Sequence, residues 1–191
     1  MARPIEKQVI ETAATRVVED TFRQLCHVDF SAEPVVEEKD IIEYNGNMRL
    51  FPMDKFNGQA YIGVINYYLT QKDSDEKFPV GTFVMYVKED IAEKLVKALG
   101  RSAREAEDEL TVLSVVGEFT GILGGNVKNE LKALGYAELI LSVPLAYKNV
   151  VPEGVLFDYN LFKKQEISFS FWKQKCVVVE ACIGPVPRTA L

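Results

Sequence analysis

Apolar residues in the first part of the chain recur close to the helical period. Ile5, Val9, Ala13, Val17 and Phe22 form one stripe, with Glu6, Lys7, Glu11, Arg16, Glu19 and Asp20 off it. Pro4 suits the first turn of such a helix, which should end between Leu25 and His27. Pro34 then breaks the pattern. From 35 to 69 the runs are short, β-branched and aromatic. VVEEKDIIEY and MRLF flank Asn45-Gly46-Asn47, a hairpin signal, and Asn57-Gly58 repeats it. AYIGVINYYL (60–69) is expected to be a buried strand, QKDSDEKFPVG (71–81) an exposed loop, and TFVMYV (82–87) another strand.

The helical period returns in EDIAEKLVKALG, where Ile91, Leu95 and Leu99 share a face and Gly100 stands where a helix C-terminus wants glycine. RSAREAEDE (101–109) reads as a charged connector or helix start. A long helix is predicted from about 107 to 134, through Leu110, Leu113, Val116, Ile122, Leu123, Val127, Leu131 and Leu134, closed by Gly135. ELILSVPLAY (138–147) and a polar stretch with Pro152 and Gly154 follow. ISFSFW (167–172) and VVVEACI (177–183) then read as an antiparallel hairpin through Lys173-Gln174-Lys175, and GPVPRTAL as a loose tail. Strands and helices do not alternate strictly. The expected class is therefore α+β, an antiparallel sheet packed against two or three helices, in one domain spanning 1–191 with a strand-rich elaboration around 34–58.

Composition leaves that picture standing: 191 residues, 48% hydrophobic and 26% charged, fit an ordinary globular chain. Charge narrows it. Lys and Arg number 22 against 28 Asp and Glu, a net of −6, with no Lys/Arg cluster longer than a pair. Nucleic acid and anionic membrane surfaces are poor partners for such a chain. No apolar run approaches the ~18 residues of a membrane span. The charged start MARPIEKQVIETAATRVVED lacks the apolar stretch of a signal peptide, so a cytoplasmic location is expected.

Familiar catalytic constellations are missing. Cys26, Cys176 and Cys182 are odd in number and without CxxC spacing, which argues against a disulfide scaffold or a zinc knuckle. Cys176 and Cys182, in KCVVVEACI, read as buried thiols. The single histidine, His27, reads as a helix-end residue. It is no partner for Cys26, because neighbours on a helix point about 100° apart. There is no GxSxG and no glycine-rich phosphate loop.

The long helix holds one anomaly. GEFTGILGG places Gly117, Gly121, Gly124 and Gly125 within nine residues. Interior helical glycines cost up to about 1 kcal/mol each, and a typical domain has only roughly 5–15 kcal/mol in hand. Gly117, Gly121 and Gly125 share one flank of the helix. Two explanations stand open at this point. Either the helix packs closely on another element, or Gly117 and Gly125 form a flat docking face beside one prominent side chain, Glu118.

VVGEFTGILGGNVKNELKALGYAELILSVPLAY resembles the chemotaxis phosphatases CheX and CheC. Their signature is Asp or Ser, three residues, Glu, two residues, Asn, then twenty-two residues and Pro. Ser114, Glu118 and Pro144 stand at those spacings, and Gly121 stands in place of the Asn. The resemblance is specific across about 81–145 and looser over the first helix and last hairpin; 34–58 has no counterpart in it.

The resemblance implies a role. In this family the signature helix docks on a phosphorylated response-regulator receiver, typically CheY. The Glu pairs with the receiver's active-site lysine, and the Asn holds the water that attacks the aspartyl phosphate. Mg²⁺ comes with the receiver, and the phosphatase needs no cofactor of its own. By resemblance Glu118 is thus the catalytic and docking residue, and the protein is a homodimer built through a continuous sheet. Gly121 cannot hold water, so the resemblance implies a phosphatase of weak or absent activity or, alternatively, a non-catalytic receiver- or partner-binding module. The CheC branch has a second active-site helix. Here the first helix offers Glu11 and Glu19, but Ala14 and Phe22 follow three positions on, so no second Glu-x-x-Asn is present.

Overall fold

A computed structural model describes residues 5–171 and 173–189. Pro4, Trp172 and the last two residues of the tail lie outside that range. Helix α1, Lys7–Cys26, buries Ile10, Ala13, Ala14, Val17, Val18 and Phe22. It ends at His27, whose backbone turns left-handed (φ 54°) and whose N–H reaches back to the Phe22 carbonyl. The histidine is exposed at the helix end, as its position in the sequence implies.

Between 35 and 58 the chain departs from the expected long hairpin. Val35–Asp40 forms strand β1, and only Glu43–Tyr44 (β2) and Asn47–Met48 (β3) pair around the turn. Asn45 and Gly46 are both left-handed (φ 51° and 77°), which is what a two-residue hairpin turn requires. No hairpin forms at Asn57-Gly58; a 3₁₀ turn, Pro52–Asp54, precedes it instead. Strand β4, Ala60–Tyr68, is buried at every position. The expected loop after it contains a short helix, α2, Gln71–Glu76. Thr70 and Asp73 cap it reciprocally, the Thr70 hydroxyl accepting from the Asp73 N–H and the Thr70 N–H donating to Asp73 Oδ2.

Strand β5 (Gly81–Lys88), helix α3 (Glu89–Ala98) and helix α4 (Glu109–Ala133) follow the predicted order. Gly100, at φ 77°, turns the chain after α3. The Asp108 carboxylate caps α4 by accepting from the Thr111 N–H at 2.9 Å. The expected strand over 138–147 is split into β6 (Ile140–Leu141) and β7 (Leu145–Lys148), with Pro144 between them supplying no N–H for a ladder. Strands β8 (Lys163–Phe171) and β9 (Gln174–Ile183) make the expected hairpin, tighter than predicted, turning at Lys173 (φ 61°).

The main sheet is antiparallel throughout and runs β1-β8-β9-β5-β4, with β6 and β7 both on the outer side of β4. Alternation divides each strand between two layers. Phe83, Met85 and Val87 of β5 join α1, α3 and α4 in the larger apolar cluster. Val84 and Tyr86 face the other way, into a smaller cluster with Met48, Phe56, Val151, Val155 and Phe157. Segment 34–58 thus supplies an edge strand and part of the cover over the second face.

Helix α4 seats deeply on β4: a Cβ on Gly63 would collide with the Thr120 side chain. By length and hydropathy α4 is also the one helix among the described residues that could cross a membrane, yet half of its apolar window is buried in this core. As far as residue 189 the tail is not loose. Val186 is buried, the Ala137 N–H donates to the Pro187 carbonyl at 2.7 Å, and the Thr189 N–H donates to that of Gly135 at 3.0 Å.

Candidate functional site

Helix α4 runs unbroken through the glycine-rich stretch, and two of its glycines have a neighbour too close for a side chain. A Cβ on Gly124 would stand 2.7 Å from Ile65 Cγ2 on the sheet, and the Tyr67 hydroxyl donates to the Gly124 carbonyl at 3.2 Å. On the next flank, Cβ atoms on Gly117, Gly121 and Gly125 would meet Ala146 Cβ at 3.8 Å, Pro144 Cγ at 2.9 Å and Leu141 Cδ1 at 3.9 Å. Gly117 is buried and Gly125 half-buried. The shared flank is therefore lined by the segment carrying β6 and β7, and only at Gly121 does that segment come too close for a side chain. Of the two explanations, close packing accounts for Gly121 and Gly124, whereas Gly117 and Gly125 stand at ordinary contact distance, with room for a Cβ.

Ser114 and Glu118, one turn apart on α4, are both exposed. Glu118 has no ion pair or side-chain hydrogen bond among the described residues, leaving its carboxylate available to a cation from outside. Positions 121 and 144, separated by twenty-two residues in the chain, touch in space. The four signature positions thus gather along one side of α4, two exposed on the helix and two closed on each other at its flank.

No amide replaces the missing one. Asn126 and Asn129 are exposed on the same helix. A regular helix puts them about 12 and 16 Å beyond Glu118, whereas a residue three positions on lies about one turn away. Asn126 Nδ2 also reaches Thr21 Oγ1 at 3.4 Å. Ser142, near Pro144, uses its hydroxyl to accept from the Asn66 N–H at 3.0 Å.

The remaining candidates fall away on environment. Burial pushes the Cys26 and Cys176 thiols up to about 11 and Cys182 to about 12, so all three stay protonated near neutrality and are poor nucleophiles. Among the described residues no group of three or more His, Cys, Asp or Glu is placed to hold a metal ion.

The sequence reading missed a charged cluster on the second face. Lys55, from the cover, donates to Glu166 of β8 and at 2.6 Å to Glu180 of β9. Lys164 pairs with Glu180 at 2.8 Å, Lys39 with Glu166 at 2.7 Å, and the Tyr86 hydroxyl donates to Glu180 at 2.8 Å. Burial raises the Glu166 carboxyl, but hydrogen bonds and charge from Lys39 and Lys55 outweigh it and hold the group at about 2. Burial and the neighbouring Glu180 carboxylate push the Tyr86 phenol well above its ordinary value. The signal was available in strand phase: Glu180 shares a face with Val178 and Cys182, positions that must be buried in a central strand.

Comparison with known proteins bears on the same segment. Residues 76–151, which contain α4 and Pro144, match the family model of the chemotaxis phosphatase CheX. No curated protein matches the chain significantly. Among solved structures, a CheC-like superfamily protein from Shewanella sp. PV-4 superposes with a TM-score of 0.57 at 16% identity, covering 91% of this chain and 96% of that one. CheX from Borrelia burgdorferi, solved in complex with CheY, BeF3 and Mg²⁺, gives 0.54 at 15% identity over 95% and 99%. FliY from Thermotoga maritima gives 0.57 at 15% identity over 94% and 90%. Residues 76–151 thus match the CheX family model, and the chain as a whole shares the α+β fold of the CheC- and CheX-like structures.

Proposed function

We propose that this chain acts in chemotaxis-type signalling by docking, through the Ser114–Glu118 side of α4, on the phosphorylated receiver domain of a CheY-like response regulator, and that it dephosphorylates the receiver slowly. The observation that carries this reading is Glu118: an exposed, unpaired carboxylate on an unbroken helix, within the segment that matches CheX. The Borrelia burgdorferi complex supports a CheY-like partner and Mg²⁺ arriving with it. Phosphoryl transfer rests on positioning and electrostatics, so a protein without a catalytic cluster of its own can still act by orienting groups on its partner. Glu118 would pair with a receiver lysine. Gly121 offers no amide to orient the attacking water, and slow turnover follows.

A second reading, a non-catalytic binding module, is favoured by Gly121 itself, which carries no side chain to hold a water, and the fold shared with FliY is compatible with it. A cytoplasmic homodimer is part of the proposal. The open edges of the sheet among the described residues are β1, with Val35 and Val36 exposed, and, on the other side, β6 and β7.

The test mixes the protein with phosphorylated CheY and Mg²⁺ and follows complex formation and phosphate release separately. Phosphorylation-dependent binding that Glu118→Lys abolishes, with release only modestly above the receiver's own rate, is expected. Binding without any added release selects the module, and binding indifferent to Glu118 overturns the docking assignment.

A further inference from the structure

At the end of the sheet where β5 finishes and β9 begins, the fold assembles a basic cleft that the linear sequence does not reveal. A recess of about 570 Å³ lies under the cover turn and is lined by Lys55, Lys88 and Lys175 with the side-chain amides of Asn57 and Gln174. A second recess, about 240 Å³, continues round the strand ends and shares Lys88, Gln174 and Lys175 with the first, adding Lys94 from α3. Each recess is thus lined by three lysines against one aspartate, Asp54 in the larger and Asp90 in the smaller, and Lys88 and Lys175 belong to both.

This clustering runs against the composition. The chain carries 28 Asp and Glu against 22 Lys and Arg, so carboxylates are in surplus. Yet Lys175 has no carboxylate partner among the described residues, and Lys94 has only the Phe171 ring beneath its ammonium at 4.9 Å. Lys88 is loosely paired, with Asp90 at 3.7 Å. Lys55 anchors the inner wall, fixed by Glu166 and Glu180. Held together, like charges repel, and an anion in the cleft relieves that repulsion. The larger recess is within the roughly 300–1,000 Å³ of small-molecule sites. Met53 and Phe56 give it an apolar wall beside the cations.

We propose that this cleft binds a small organic phosphate, with the phosphate on Lys88 and Lys175 and the remainder of the molecule against Met53 and Phe56. Lysines grip phosphate as point charges through charge-assisted hydrogen bonds. The site is separate from the Glu118 side of α4, so it stands or falls independently of receiver docking.

Isothermal titration of the full chain with ATP, with pyrophosphate and with citrate, at near-physiological salt, tests it. Saturable binding of ATP and pyrophosphate at one shared site, with a dissociation constant below about 1 mM, is expected. The double variant Lys88→Gln/Lys175→Gln should weaken it at least roughly tenfold. Lys72→Gln, on the exposed face of α2, should leave it unchanged. ATP binding more tightly than pyrophosphate supports the apolar wall; pyrophosphate binding equally well overturns an organic phosphate seated on Met53 and Phe56. Citrate binding as tightly as either phosphate compound, or affinity that survives the double variant, overturns the proposal. Absence of saturable binding up to about 10 mM, well beyond a useful affinity, does the same. Melting temperatures of the variants confirm that the fold is intact.

Discussion

Over one face of the sheet lie α1, α3 and α4, and what they cover is largely aliphatic and aromatic: Phe22, Phe83, Leu95, Phe119, Leu123 and Phe169 are fully buried there. Over the other face lie turns and loops from 41–57 and 149–161, and beneath them, beside a smaller apolar cluster, sit Glu166, Glu180, Lys55 and Lys164, each at most 7% exposed. Non-directional contact holds the first face, so the outer side of α4 carries little structural duty and is open to serve a partner. Directional ion pairs hold the second, where each charge depends on a specific neighbour.

The sharpest way to break this contrast is to remove one charge. Lys55→Ala leaves Glu166 without one partner and Glu180 without another, and should cost about 3–5 kcal/mol in urea unfolding. A cost near zero would mean that water reaches the cluster and the two faces are not held differently. The same cluster should make stability acid-sensitive. The Glu166 carboxyl is held at about 2 against an ordinary value near 4.3, so its contribution is fully present above the higher figure and declines as pH falls through the lower one. Melting temperatures between pH 6 and 2 should show a fall that Glu166→Gln flattens.

A smaller effect is expected on the flank of α4. Gly121→Asn places a Cβ 2.9 Å from Pro144 Cγ and should cost about 1–3 kcal/mol. Adding Pro144→Ala removes the obstructing atom, so the pair should recover stability and raise phosphate release from a receiver above the wild-type rate. Failure of the pair to gain rate would leave the binding module as the function. Least of all should change in Glu118→Lys, within about 0.5 kcal/mol of wild type in stability. Its loss of receiver binding would then show function and fold to be separable on this face.

What the sequence made legible follows the same division. Period-2 and period-3.6 patterns located β4, β5, α1, α3, α4 and the last hairpin, because apolar contact writes itself into spacing. The Ser114, Glu118 and Pro144 spacing was visible too. The closure of Pro144 on Gly121 was not, since a tertiary contact between two elements has no local pattern. Nor did local pattern reveal that Val35–Asp40 pairs with Lys163–Phe171 and not with its own hairpin. QKDSDE read as loop by polarity, although Thr70 and Asp73 at capping-box spacing mark a helix start. Lys55 lies in a turn, and nothing near it in sequence points to Glu166 or Glu180.

The register of the sheet also bears on how fast the molecule can assemble. Its local pairings, β4 with β5 and β8 with β9, close over short connections and can form independently. Joining them requires residue 81 to find residue 183, and the outermost strand requires residue 35 to find residue 168. Chain entropy must be surrendered before those meetings are rewarded, which places such topologies toward the slow, roughly millisecond-to-second end of refolding. Lys55 can meet its glutamates only after β8 and β9 are in place. Stopped-flow refolding should therefore show the cover over the second face arriving last, with the ion pairs as the final step of a search begun by the two hairpins.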